Sequence, residues 1–416
     1  MAFQRLFMAG YQKLAWVVLG ALALALHARA ESNKADADFA GAELRYNAQV
    51  GVDVWRLTPA MAENYLLMPN KTVWHYRPES PWATLDGQYM LRSNAVLTLK
   101  ARANQTMGSH IDEVSLDWAY SPSFGFKAGV VGYKTSWCRT YDLDSPWVQE
   151  NDPFCTFHTT SDASNGAPGV QLYVNSDVGP YQIQGVAGVY RPLFGNFNTQ
   201  EFSNVPIEHP YVDRNSKKGV SLGVLHTESA AELRLGFLSA IQSARAVDDS
   251  LNEAYRVNQT YNMVFAGLSF YVTPKANVRV QTLRHDMTSS NWSLPGSSWP
   301  NYRGGLEVAR RSDVIELNYQ LRPQDVLALA MSKYHFDITT IASNYPMAGY
   351  TRSRDSFVFL NTAWSASWRH DWSRGVFTAA QWTYNKLDLN DRRSLDFPEA
   401  RTATGHGLGL RLGYQF

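Results

Sequence analysis

The end of the chain alternates between two kinds of side chain along almost its whole length. Successive side chains of a β-strand point to opposite faces, so a strand with period two separates them. One face of this segment is apolar and carries Leu408, Leu410, Leu412, Tyr414 and Phe416. The other face is small or polar and carries Gly407, Gly409, Arg411, Gly413 and Gln415. The pattern predicts a strand with one apolar face and one face that can border water.

The same alternation recurs along the chain, and no amphipathic helix interrupts it. We predict 16 strands, and counts of 14 to 18 are also compatible with the pattern. The strands lie at about 43–55, 84–92, 95–104, 112–120, 125–136, 169–177, 181–191, 218–226, 231–242, 259–272, 276–286, 312–322, 325–337, 355–370, 375–388 and 403–416.

Tight turns and long polar connections alternate between these strands. Examples of the tight turns are residues 92–94, 177–180 and 323–324. An even number of alternating segments, short periplasmic turns and long extracellular loops are typical of transmembrane antiparallel β-barrels. A soluble propeller or solenoid would need a fixed repeat motif, which the chain lacks. The fold class predicted is therefore all-β, a transmembrane antiparallel barrel.

The N-terminus predicts export. Arg5 and Lys13 precede an apolar run from Leu14 to Leu26, and Ala28-Arg29-Ala30 offers a small-x-small cleavage site. This arrangement is typical of a secretory signal peptide, and the run is short for a membrane-spanning helix. We therefore expect a signal peptide over residues 1–30 and a single barrel domain over residues 31–416.

Composition agrees with a barrel that has a polar interior. Charged residues make up 18% of the chain, against roughly 25% in soluble proteins. Aromatic residues reach 13%, yet the mean hydropathy is −0.31. Without residues 1–30 the chain has 35 basic and 37 acidic residues, because Arg5, Lys13 and Arg29 leave with them. This balance gives no reason to expect a nucleic-acid partner.

Motifs for catalysis or metal binding are missing from the sequence. The ten histidines show no H-E-x-x-H spacing, and no G-x-S-x-G elbow is present. We therefore expect no cofactor, no metal and no enzymatic activity.

The signal peptide, the 16 predicted strands and the terminal Tyr414-Gln415-Phe416 together resemble the Gram-negative outer-membrane porins, of the general or substrate-selective type. The resemblance implies a homotrimeric, water-filled channel for passive diffusion of small hydrophilic solutes and ions. It also implies contact with outer-membrane lipid and lipopolysaccharide. Phe416 would be the signal read by the outer-membrane assembly machinery.

The connection at about 137–168 lies between the fifth and sixth predicted strands. In porins of this size the corresponding loop folds into the barrel and narrows it, which the resemblance implies here; an external hairpin is the alternative. Cys138 and Cys155 are the only two cysteines, and an exported protein normally pairs them. A disulfide closing a loop of this size contributes about 3 kcal/mol in the chain-entropy model.

Charged and aromatic residues make this connection the candidate site. Its acids are Asp142, Asp144, Glu150 and Asp152, and its aromatic candidates are Trp137, Tyr141 and Trp147. The strand alternation turns an opposing basic wall inward, made of Arg45, Arg92, Lys100 and Arg102. Opposed charges would create a transverse field that selects solutes. Mutual pairing of solvated lumen charges is the simpler alternative. A substrate-selective porin for sugars or small anions, or an enzyme or receptor barrel with a filled lumen, also stays open.

Overall fold

A closed antiparallel β-barrel forms the protein in the computed structural model. The structure describes residues 43–57, 76–78, 82–104, 108–131, 137, 145–148, 153–155, 167–190, 211–248, 253–293, 303–345, 350–372, 375–391 and 401–415. Residues 1–42, which include the predicted signal peptide, and Phe416 lie outside this set. No helix long and apolar enough to cross a membrane occurs among the described residues.

Seventeen strands are described, and one of them is a three-residue piece. In chain order they are β1 Glu43–Leu57, β2 Tyr76–Pro78, β3 Trp82–Arg92, β4 Ala95–Asn104, β5 Gly108–Ser121, β6 Phe124–Val131, β7 Ala167–Val178, β8 Tyr181–Tyr190, β9 Tyr211–His226, β10 Ala231–Asp248, β11 Glu253–Thr273, β12 Ala276–Ser293, β13 Arg303–Arg322, β14 Asp325–Tyr345, β15 Tyr350–Asp371, β16 Val376–Asp391 and β17 Arg401–Gln415.

Every long strand pairs with its neighbours in sequence, and β1 closes the ring by pairing with both β3 and β17. The short strand β2 also pairs with β1, at residues 54–56, next to the stretch of β1 that pairs with β3. The barrel therefore has 16 strands, which confirms the predicted number. The short strand was not predicted, because three residues that include Pro78 cannot show an alternating pattern.

The two faces of the wall differ as the alternation predicts. On β17, Leu408, Leu410 and Leu412 are exposed, whereas Arg411 is only 6% exposed and Gly413 is buried. Large apolar side chains are exposed on the outward face of strands all around the ring. Such a continuous apolar exterior is the surface of a transmembrane barrel.

Several strands are longer than the sequence pattern predicts. β9, β11 and β13 begin at Tyr211, Glu253 and Arg303, where the predicted strands began at about 218, 259 and 312. At the start of β9, polar residues on both faces hide the alternation, for example Lys217 and Lys218. The backbone ladder continues regardless, because its hydrogen bonds do not depend on side-chain polarity. As a result, β10 to β15 have 18 to 22 residues and β3 to β8 have only 8 to 14.

Candidate functional site

The connection between β6 and β7 reaches the far wall of the barrel. We call its described residues, 137, 145–148 and 153–155, the inner segment. They contact side chains of β10 to β16, although the connection leaves and re-enters the wall at Val131 and Ala167. In a ring of 16 strands, β13 and β14 lie opposite β5 and β6. The chain can make these contacts only by crossing the interior.

Side chains of the far wall accept hydrogen bonds from the backbone of the inner segment. The Trp137 N–H donates to Gln281 Oε1 on β12 at 2.9 Å, and the Val148 N–H donates to Gln381 Oε1 on β16 at 2.9 Å. The amide of Gln381 in turn donates to Thr383 Oγ1 at 3.2 Å. Since an irregular segment cannot satisfy its own backbone, these amides supply the partners that a regular strand would have provided.

Trp147 is the deepest anchor of the inner segment. Its ring is 1% exposed and packs on Ala328 and Ala330 of β14. Its indole N–H donates to Glu316 Oε2 on β13 at 2.6 Å, a short bond to a charged acceptor. Glu316 itself is fully buried and also accepts from the Asn318 side chain.

Arg279 on β12 completes the charge balance at this anchor. Its Nη1 lies 3.7 Å from Glu316 Oε1. A buried carboxylate is tolerated when it is paired and hydrogen-bonded, as it is here. The Trp147 indole is therefore one of three partners of Glu316, beside Arg279 and Asn318.

The residues before Trp147 are held by β15. The carbonyl of Pro146 accepts from Ser367 Oγ, and the carbonyl of Ser145 accepts from Arg369 Nη1 at 3.4 Å. Arg369 is 3% exposed, and its Nε pairs with Asp371 at 2.8 Å while its guanidinium stacks on Phe377 of β16. This arginine serves the scaffold of the inner segment.

The other end of the inner segment packs through aromatic rings. Trp137 meets Phe154 and Phe265 of β11 edge to face, both at 6.4 Å between centroids. Val314 of β13 closes this cluster. The guanidinium of Arg234 lies 5.7 Å from the Trp137 ring centroid. Edge-to-face pairs of this kind stabilise packing beyond simple burial.

An apolar cluster also lines the inner wall beside the inner segment. Its members face the interior on β6, β8, β10, β11 and β12 and are at most 3% exposed: Val131, Tyr190, Leu238, Met263, Phe265 and Leu283. Buried apolar side chains inside a barrel mark a dry, packed region. The interior beside this cluster is therefore packed with protein.

The opposite wall is polar and partly open. On β3 and β4, Asp86 and Lys100 form an ion pair at 3.1 Å, with 38% and 30% of their side chains exposed. On β5 and β6, Glu113 pairs with Lys127 at 2.7 Å, and the hydroxyl of Ser115 donates to the same carboxylate oxygen. These four charged side chains share the inward face, because apolar residues such as Leu99 and Val114 occupy the outward face.

A tyrosine continues this wall onto β7. The Tyr173 hydroxyl donates to Asp117 Oδ1 on β5 at 2.7 Å, so its ring must pass over β6. Gly125 makes room for it, since a Cβ there would lie 2.2 Å from the Tyr173 hydroxyl oxygen.

The predicted basic wall is only partly represented among the described side chains. Arg45 is exposed and shares its face of β1 with Gln49. Arg92 is exposed at the last residue of β3, beside a short turn. Lys100 lies where the alternation placed it, but in an ion pair with Asp86, as the simpler alternative expected. The side chain of Arg102 lies outside the described residues.

Of the predicted residues in the connection, only part can be placed. Trp137 and Trp147 are buried against the far wall, 6% and 1% exposed. Cys155 ends a single 3-10 turn, Pro153–Cys155. Cys138, Tyr141, Asp142, Asp144, Glu150 and Asp152 lie outside the described residues, so the disulfide and the acidic cluster stay predictions.

Several functional side chains were missed at the level of sequence. Gln281, Gln381 and Ser367 anchor the inner segment, and Asp86 and Glu113 neutralise the lysines of the opposite wall. All five occupy inward positions of predicted strands, which is the one signal that could have selected them. Among the described residues, no group of three or more His, Cys, Asp or Glu side chains could hold a metal ion.

Comparison with known proteins finds similarity only at the level of solved structures. Neither a protein-family model nor a curated protein matches the chain. An anion-selective porin from Comamonas acidovorans is 12% identical, with 90% of this chain and 100% of that chain covered and a TM-score of 0.49. OprB of Pseudomonas putida is 10% identical, with 90% and 94% covered and a TM-score of 0.48. The outer membrane channel DcaP of Acinetobacter baumannii is 10% identical, with 91% and 98% covered and a TM-score of 0.47. At these identities the function has to be argued from this chain's own residues.

Proposed function

We propose that the chain is a porin, a water-filled channel for passive diffusion of small hydrophilic solutes and ions across the outer membrane of a Gram-negative bacterium. One observation carries the proposal. The inner segment crosses the barrel and is bonded to the wall of β10 to β16, while the wall of β3 to β6 keeps partly exposed charged side chains. A filled half and a polar half leave a narrowed aqueous path between them.

The exterior of the barrel supports residence in a membrane. Trp368, Trp372 and Tyr414 are exposed near the short turns. Trp364 is exposed further up β15, and Trp382 is exposed on β16. Trp and Tyr gather at the two interfaces of a bilayer, where an amphipathic ring suits the headgroup region. Trp364 to Trp372 cover nine residues, the last of them just beyond the end of β15, against the roughly 9–11 residues that a spanning β-strand needs. The predicted signal peptide over residues 1–30 fits export to the outer membrane.

The inner segment is the natural constriction of such a channel. Asp142, Asp144, Glu150 and Asp152 belong to the same connection, so we place them at or near the narrow point. Pairing of Cys138 with Cys155 would limit the shapes available to the connection. A segment that narrows a pore has to hold one conformation, and this would be the benefit of a disulfide there.

Assembly follows the porin pattern in this proposal. The protein is a homotrimer in contact with outer-membrane lipid and lipopolysaccharide, and the assembly machinery recognises the terminal Phe416. Cross-linking of the native protein, followed by gel electrophoresis without heating, tests the trimer. A single band at the monomer mass would contradict it.

A sugar-selective channel is the weaker alternative. Such a channel would stack sugars on aromatic faces along its path. Trp137, Tyr141 and Trp147 are the candidates from the sequence. Tyr141 lies outside the described residues, whereas Trp137 and Trp147 are almost completely buried in the packing of the inner segment. Their faces are occupied by protein, which favours diffusion over aromatic sugar recognition.

Conductance of the purified protein in a planar bilayer tests the proposal directly. Folding is verified first by the change in gel mobility on heating. We expect stepwise, ohmic current increments as single proteins insert. Well-folded protein that inserts but carries no current would contradict the proposal and favour an enzyme or receptor barrel with a filled lumen.

A further inference from the structure

The wall opposite the inner segment carries a row of charges of alternating sign. Asp86, Lys100, Glu113 and Lys127 belong to the four adjacent strands β3, β4, β5 and β6. Asp86 is the Cα partner of Lys100, and Lys100 is the Cα partner of Glu113. Lys127 reaches Glu113 at 2.7 Å. We call these four side chains the charged row.

The charged row is accessible from the lumen. The exposed fractions of its side chains are 38% for Asp86, 30% for Lys100, 25% for Lys127 and 11% for Glu113. By contrast, the charged anchors Glu316 and Arg369 of the far wall are 0% and 3% exposed. The row is therefore one charged part of the inner wall that a passing solute can touch, and Glu232 and Arg234 of β10, with side chains 30% and 38% exposed, are another.

The charged row also lies level with the inner segment. Lys100 is the sixth residue of β4, and Gln381, which binds Val148, is the sixth residue of β16; both strands begin at short turns. In the ring of 16 strands, β3 to β6 stand opposite β11 to β14, where Trp137 and Trp147 are packed. A solute that passes the inner segment must pass the charged row.

We propose that the charged row binds zwitterionic solutes, such as free amino acids, and eases their passage; this rests on the proposed channel function. Carboxylates and ammonium groups alternate from strand to strand, and the paired groups lie 3.1 Å apart in Asp86–Lys100 and 2.7 Å apart in Glu113–Lys127. A zwitterion carries its own ammonium and carboxylate a few atoms apart and can match two neighbouring members of the row. A solute with one charge can pair with only one member of the row, and the row as a whole has no net charge that would attract it.

Alanine and lactamide are suitable probes, because they are isomers and only alanine is a zwitterion at neutral pH. Entry of each into proteoliposomes is followed by osmotic swelling. We expect alanine to enter about two- to fivefold faster, the range set by exposed ion pairs. In the variant D86N/K100M/E113Q/K127M the two rates should become equal. The control K386M/D388N removes a similar Lys–Asp pair, at 3.4 Å, from the outward face of β16 and should keep the wild-type ratio.

Variants that neutralise one charge at a time provide a second test, in which ion selectivity is measured and the wall is changed less. K100M should shift the reversal potential toward cations and D86N toward anions, and D86N/K100M should return it to near the wild-type value. Equal rates for the two isomers in a conducting wild-type protein would overturn the zwitterion proposal and leave the channel intact. Absence of both swelling and current would instead contradict the channel itself. A changed isomer ratio in K386M/D388N would also overturn the assignment to the charged row.

Discussion

Removal of the Trp147 side chain should release the inner segment from the far wall. The indole is 1% exposed, and substitution of a buried Trp by Ala costs about 3–5 kcal/mol. Each backbone bond of the inner segment, at Trp137 and at Val148, contributes only about 0.5–1.5 kcal/mol. Among the described contacts, Trp147 therefore contributes most to the free energy that attaches the inner segment to the far wall. Its loss should lower the ratio of docked to undocked segment by about 10²- to 10⁴-fold.

The hydrogen bond and the packing of Trp147 can be separated. Trp147→Phe keeps a ring between Ala328 and Ala330 but removes the donor to Glu316. A hydrogen bond to a charged group contributes about 1.5–3 kcal/mol. The ratio of docked to undocked segment in this variant should therefore lie between those of the wild type and Trp147→Ala. The carboxylate of Glu316 keeps Asn318 and Arg279 as partners, which limits the cost.

Single-channel recording is the assay for both variants. We expect Trp147→Ala to show larger open-channel noise and a higher mean conductance, because a detached segment fluctuates and obstructs less of the path. Trp364→Ala is the matched control, since Trp364 is 50% exposed on the outer surface. Wild-type noise and conductance in a folded Trp147→Ala protein would refute the assignment of Trp147 as the main anchor.

Three further predictions concern the walls and the connection. Gly125→Ala should displace Tyr173 from Asp117 and lower the free energy of unfolding by about 1–3 kcal/mol, measured by urea titration. Gly185→Ala is the control and should leave the free energy of unfolding unchanged, because nothing lies within 4 Å of a Cβ there. Equal effects of the two substitutions would contradict the close packing of Tyr173 on Gly125. The variant D142N/D144N/E150Q/D152N should shift ion preference toward anions in reversal-potential measurements, and an unchanged potential would mean that these acids are remote from the narrow point. A reducing agent should raise the current noise of the wild type but not of C138S/C155S. Unchanged noise in the reduced wild type would contradict a disulfide that holds the constriction.

The strand pattern could be predicted well because it depends on local alternation. The β17 face with Leu408, Leu410 and Leu412 is exposed and Arg411 is buried, as the period of two requires. The tight turns after β3, β7 and β13 also fall at the predicted residues. The predicted start of β9 was wrong because both faces are polar there, so alternation disappears while strand pairing continues.

The candidate site could be predicted only in part. The position of the connection between the fifth and sixth barrel strands was available from counting strands, and the inward direction of Lys100 followed from alternation. The sequence did not indicate which side chain each inward residue would pair with. Asp86 and Lys100 are joined by the register of β3 against β4, and a slip of one residue would have turned either of them to the outside.

The sequence by itself determined a 16-stranded barrel, the face of each regular strand and the place of the long connection. These properties follow from periodicity and turn chemistry, which act over a few residues. Only the tertiary structure decided where the connection goes. Trp147 meets Glu316 across 169 positions of sequence, and Val148 meets Gln381 across 233. Such contacts arise because closing the ring brings opposite strands around one shared interior. No local pattern in the sequence predicts which residues meet across it.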